Sequence, residues 1–151
     1  MVYMQQLIYL FSISLLLSTP TTTWFTHYPS AISQAKTEKK PVLMVFSGSD
    51  WCRPCIMMEK EVFETPVFQQ YADSSLVLLK VDFPRKKKNL LSPEQQTHND
   101  ALAAKYNSQG HFPSIVLLST DGTVLAQTAY MKGGATSFIQ YLETELQKSH
   151  E

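Results

Sequence analysis

The sequence predicts an α/β domain, a central mixed sheet of about four strands flanked by helices on both faces. Three observations carry this. Apolar runs at 42–46 (VLMVF) and 76–82 (LVLLKVD) suit strands buried on both faces. A helix-like segment lies between them, so strand, helix and strand alternate. Further on, Asp121-Gly122 separates two more apolar runs, as the turn of a β-hairpin does. With 151 residues and 44% hydrophobic content, the chain supports one core and leaves no room for a second domain.

Taken in order, residues 7–17 (LIYLFSISLLL) form an apolar run, followed by a Ser/Thr/Pro-rich stretch over 18–23. Residues 1–25 therefore read as an export signal. No Lys or Arg precedes the run and no A-x-A-like cleavage site follows it, so an uncleaved membrane anchor over 3–17 is the alternative. The run is short of the about 20 apolar residues of a full span. The folded domain is expected over 26–151, facing an extracytoplasmic compartment. A short helix over 31–39 stops at Pro41, the strand over 42–46 follows, and 47–50 (SGSD) makes the turn. A helix then runs from Arg53 through Phe63, with Pro54 in the first turn, where a missing N–H costs nothing. Thr65-Pro66 restarts the chain into a helical piece over 67–72, then the strand over 76–82. Residues 83–93 are irregular and basic, 94–106 helical, 114–119 and 123–127 the hairpin strands. Gly133-Gly134 breaks the chain before a last amphipathic helix over 135–148, with Phe138, Tyr141, Leu142 and Leu146 on one stripe.

The stretch Trp51-Cys52-Arg53-Pro54-Cys55 holds the only two cysteines of the chain, at a strand-to-helix junction. Unpaired N–H groups at a helix start favour a thiolate over a thiol, and a second cysteine one turn further in is close enough to form a disulfide. A purely structural crosslink explains the pair poorly, because so short a loop constrains the unfolded chain by only about 2 kcal/mol.

Trp51-Cys52-x-Pro54-Cys55, the later Phe112-Pro113-Ser114 and the order of elements resemble the thioredoxin-like family over residues 40–148. Residues 46–52 (FSGSDWC) with 61–63 (EVF) are similar to exported bacterial members. The resemblance implies Cys52 as an exposed nucleophile, Cys55 as the resolving thiol, and Cys52–Cys55 as the redox disulfide. It also implies Trp51 flanking the nucleophile and a cis peptide at Phe112-Pro113, presenting backbone to a bound peptide. Arg53 replaces the glycine usual in thioredoxin; a cation beside Cys52 predicts a somewhat more oxidising pair, while Pro54 stiffens the turn. The buried aspartate that in thioredoxins deprotonates the resolving cysteine is here Phe46. Glu59, four residues after Cys55, and Asp50, beside the motif, are the candidate proton acceptors.

The expected function is an exported, periplasmic thiol:disulfide oxidoreductase, a protein disulfide reductase or isomerase. Its partners would be protein disulfides and thiols and a membrane-linked thiol electron donor, and the chain would be monomeric. No cofactor is needed, because the cysteine pair is itself the redox group. The competing reading is a copper-binding metallochaperone using Cys52, Cys55 and His111; a peptide-binding adaptor would not need the second cysteine. His27, His98 and His150 lack ligand spacing, and Met57 and Met58 read as core or groove residues. Residues 85–88 (RKKK) read as a solvated loop, with docking of an acidic partner as the alternative. Thirteen Lys+Arg balance thirteen Asp+Glu, so no global field recruits nucleic acid.

Overall fold

A computed structural model describes residues 22–149. Residues 1–21 of the leader or anchor read over 1–25, and His150, lie outside the described residues. In chain order the elements are β1 (Trp24–Phe25), α1 (Tyr28–Glu38), β2 (Val42–Ser47) and α2 (Arg53–Met58), which runs on into a π-helical turn over Glu59–Phe63. Then come α3 (Pro66–Ser75), β3 (Val77–Asp82), α4 (Pro93–Tyr106), β4 (Ser114–Leu118), β5 (Val124–Thr128) and α5 (Gly134–Lys148). The sheet order is β1-β3-β2-β4-β5. β3 pairs in parallel with β1 and β2, whereas β4 runs antiparallel to β2 and β5 antiparallel to β4.

The mixed sheet thus has five strands where about four are expected. The fifth is β1, whose Trp24 and Phe25 pair with Leu78 and Leu79. Two residues carry no readable alternation, so the sequence does not reveal this strand. Helix α1 begins at Tyr28, three residues before the expected start, because Pro29 sits in its first turn. Prolines also open α2, α3 and α4. Thr65 and Ser92 cap the last two of these: their hydroxyl oxygens accept the N–H groups of Phe68 and Gln95, at 3.3 and 3.2 Å, each cap contributing about 1 kcal/mol. The hairpin turn lies where Asp121-Gly122 places it, with Gly122 at φ +88° and its N–H donating to the Ser119 carbonyl at 3.0 Å.

Helices cover both faces of the sheet, and alternate residues of each strand supply the two cores. Leu43 and Val45 of β2, Leu78 of β3, and Ile115 and Leu117 of β4 pack with Met58, Phe63, Phe68, Phe138 and Leu142 from α2, its π turn, α3 and α5. Val42, Met44 and Phe46, Val77, Leu79 and Val81, and Val116 and Leu118 face the other way, onto α1 and α4. With both faces covered, all six positions of β2 are buried. Among the described residues no helix is long and apolar enough to cross a membrane.

Candidate redox site

The site is built where β2 ends. Gly48 N–H donates to Cys55 Sγ at 3.5 Å, and the Gly48 carbonyl accepts the N–H groups of Trp51 and Cys52 at 3.2 and 2.8 Å. A glycine is required here on steric grounds, since a Cβ at this position would lie 2.3 Å from Cε2 of the Trp51 indole. The turn delivers Cys52 to the N-cap of α2 with extended backbone (φ −86°, ψ 103°), and its Sγ accepts the Cys55 N–H at 3.3 Å. Cys52 and Cys55 form a disulfide with their Cα atoms 5.3 Å apart. The expectation that Cys52 is exposed is corrected: both cysteines are only 5% exposed. Sγ of Cys52 turns back into the first helical turn and into the disulfide instead of projecting outward.

Aromatic rings flank the motif. Trp51 Nε1–H donates to the Phe83 carbonyl at 2.7 Å, and the Trp51 and Phe83 rings each meet Phe112 edge-on at 5.5 Å. The Phe112-Pro113 peptide is cis. Asn107, buried at the end of α4, brackets the residue before that pair: its Nδ2 donates to the His111 carbonyl at 2.8 Å and its Oδ1 accepts the His111 N–H at 3.1 Å. Arg53 and Pro54 are exposed, and so is His111. Among the described residues no three His, Cys, Asp or Glu side chains are gathered to hold a metal ion, so the copper reading lacks its ligand set. Met58 is core and Met57 partly buried.

The two candidate proton acceptors are placed differently. The Asp50 carboxylate accepts the backbone N–H groups of Arg85 and Lys86 at 2.9 and 3.0 Å and Asn89 Nδ2–H at 2.9 Å. These donors, the Arg85 N–H foremost, hold its carboxyl below the usual carboxylate range. Glu59 faces Lys80, with both oxygens 3.1 Å from Nζ. Glu59, Lys80 and Cys55 line one cavity of about 310 Å³, with Ser47 and Ile56. Glu59 and Cys55 thus share a cavity, while Asp50 is committed to the loop after β3.

Sequence reasoning misses three supporting residues. The Asp82 carboxylate accepts Ser49 N–H at 2.9 Å and Ser49 Oγ–H at 2.5 Å. Asn99, 2% exposed, donates to the Asp82 carbonyl at 2.8 Å. Asn107 is the third. Asn99 had a readable signal, since it stands at i, i+3, i+7 spacing with Leu102 and Tyr106 on the buried stripe of α4, where an unpaired amide would be costly.

Similarity to known proteins agrees with this geometry. A thioredoxin-like family model matches residues 23–119. The disulfide bond reductase DsbH of Chlamydia pneumoniae is 33% identical over 119 residues, covering 79% of this chain and 70% of that protein. The thioredoxin-related protein DsbJ of the same organism is 33% identical over 96 residues, 64% of this chain but 27% of its own length. A solved structure of a DsbH oxidoreductase superposes with a TM-score of 0.77 at 27% identity, covering 97% of this chain and 94% of that one. Its fold, its cysteine pair and these relatives identify the chain as a thiol:disulfide oxidoreductase belonging to the thioredoxin-like family.

Proposed function

We propose that the chain is an exported protein disulfide reductase in which Cys52 is the nucleophile and Cys55 the resolving thiol. The observation that carries this is the Cys52–Cys55 disulfide at the start of α2, with a carboxylate, Glu59, on the same cavity as Cys55. In the reduced chain the Cys55 N–H, which reaches Cys52 Sγ at 3.3 Å here, stabilises a Cys52 thiolate. That thiolate attacks one sulfur of a partner disulfide. The partner S–S bond breaks, a mixed disulfide forms, and the released partner thiolate takes a proton from solvent. Cys55 then gives its proton to Glu59 and attacks Cys52 Sγ, and the second partner sulfur leaves as a thiolate that is protonated in turn. Two electrons and two protons pass to the partner, leaving Cys52–Cys55 oxidised. A dithiol donor on the same side of the membrane must restore it.

The reducing direction rests on the similarity to a disulfide bond reductase. Trp51 and the cis Phe112-Pro113 segment form the floor on which a partner chain lies, backbone to backbone. Export through the N-terminal leader or anchor read over residues 1–25 places the domain in the periplasm or its equivalent. An equilibrium redox titration of Cys52–Cys55, read by thiol alkylation, tests the direction. The expected potential lies nearer the about −270 mV of thioredoxin than the about −180 mV of protein disulfide isomerase, with Arg53 moving it modestly upward. A value at or above about −180 mV would assign oxidation or isomerisation instead.

A further inference from the structure

The run Arg85 to Lys88 is not a detached solvated loop. Asp50, two residues before Cys52, accepts the backbone N–H groups of Arg85 and Lys86 and the Asn89 amide. A 3₁₀ turn over Lys87–Asn89 closes the segment, with Asn89 N–H donating to the Lys86 carbonyl at 2.8 Å. Independently of Asp50, the Arg85 guanidinium lies 3.7 Å from the centroid of the Trp51 ring, whose Nε1–H holds the Phe83 carbonyl. The basic segment is thus fixed at both backbone and side chain to the residues that flank the disulfide.

Nearby carboxylates offset only part of this charge: a hydrogen bond to a neutral donor leaves a carboxylate its charge, but Glu59 is paired with Lys80 and the exposed cations outnumber the remaining acids. Asp50 holds the loop, Asp82 holds Ser49, Glu59 faces Lys80, and Glu61 accepts the Tyr130 hydroxyl at 2.7 Å. Arg85, Lys86, Lys87, Lys88 and, from the motif itself, Arg53 are exposed. A chain with no net charge therefore carries a local cationic rim beside its redox centre.

We infer that this rim selects partner proteins whose reducible disulfide is flanked by acidic residues. The inference deepens the proposed function by naming the substrate class, and it rests on that reading only for the chemistry that follows docking. Fluorescently labelled peptides, one with Glu and one with Gln around a single disulfide, serve as probes, with anisotropy measured against the oxidised full-domain protein. The Glu peptide is expected to bind at least about ten-fold tighter at low salt and to lose that preference in about 0.5 M salt. The triple variant Lys86→Gln/Lys87→Gln/Lys88→Gln should bring the ratio close to one. A control, Lys36→Gln/Lys39→Gln/Lys148→Gln, removes the same charge at the other end of β2, where Lys39 and Ser149 border a separate cavity; it should keep the preference. Equal binding of the two peptides, or equal loss in both triple variants, overturns the inference. Rates of peptide reduction by the pre-reduced protein are followed separately. Preferential binding without reduction would reject the reductase reading while leaving the docking surface standing, and reduction without preference would do the reverse.

Discussion

The two faces of the sheet are held together by different chemistry. Behind α2, α3 and α5 the core is aromatic: Phe63, Phe68 and Phe138 have ring centroids 5.1 to 6.1 Å apart. Behind α1 and α4 the apolar residues are interleaved with polar contacts. His27 stacks on His98 at 4.7 Å, and His98 Nε2 accepts the Tyr28 N–H at 3.1 Å. Tyr28 and Tyr106 share a hydroxyl hydrogen bond at 3.1 Å, while Asn99 and Asn107 reach the Asp82 carbonyl and the His111 backbone. Apolar contacts are non-directional, so the first face supplies stability with little positional demand. Hydrogen bonds are directional, and on the second face those of Asn99 and Asn107 end on the segments that flank the disulfide, while the others join α1 to α4.

The sharpest way to break this contrast is Phe138→Ala. It is expected to lower stability by about 3–5 kcal/mol in denaturant unfolding, while the folded fraction keeps its rate of disulfide reduction within about two-fold. A large loss of activity per folded molecule would show that the aromatic face also positions the site. Asn99→Ala should do the opposite. Leaving the Asp82 carbonyl and the Gln95 amide without their buried partner costs only about 1–3 kcal/mol. Reduction should nevertheless slow several-fold, because Asp82 holds Ser49 in the turn before Cys52. If stability falls but kcat/KM does not, the second face has no special hold on the site.

The smallest effect concerns alkaline pH. Burial, then the hydrogen bond with Tyr106, pushes the Tyr28 hydroxyl up to about 12 from the ordinary 10.0. The folded state therefore keeps this proton where the unfolded chain releases it. The stabilisation is fully present below pH 10 and is lost as pH rises toward about 12. Urea unfolding across that window should show a shallower alkaline decline for Tyr28→Phe than for the unmodified chain. Identical slopes would mean that the tyrosine pair is not a determinant of the polar face.

The same contrast explains what the sequence reveals. β2 is legible because both of its faces are buried, which leaves an unbroken apolar run, β3 because only Lys80 interrupts its apolar residues before Asp82, and the hairpin because Asp121-Gly122 meets a backbone requirement seen at Gly122. The cysteine pair is legible because thiol–disulfide chemistry restricts residue type. β1 is too short to carry a pattern. The π turn over Glu59–Phe63, where Glu64 N–H reaches back to the Glu59 carbonyl, leaves no compositional trace. Asp50 illustrates the harder limit: next to a redox motif it reads as a proton acceptor, and only the position of a loop 35 residues away shows that it binds backbone N–H groups.

That binding mode separates shape from charge. Asp50 grips Arg85 and Lys86 through their amides, which every residue except proline possesses, and places no demand on their side chains. Descendants of this chain can therefore exchange the residues at 86, 87 and 88 for neutral or acidic ones while the loop keeps its course past the disulfide. Partner choice becomes a property that drifts, or is engineered, independently of the fold and of the redox centre.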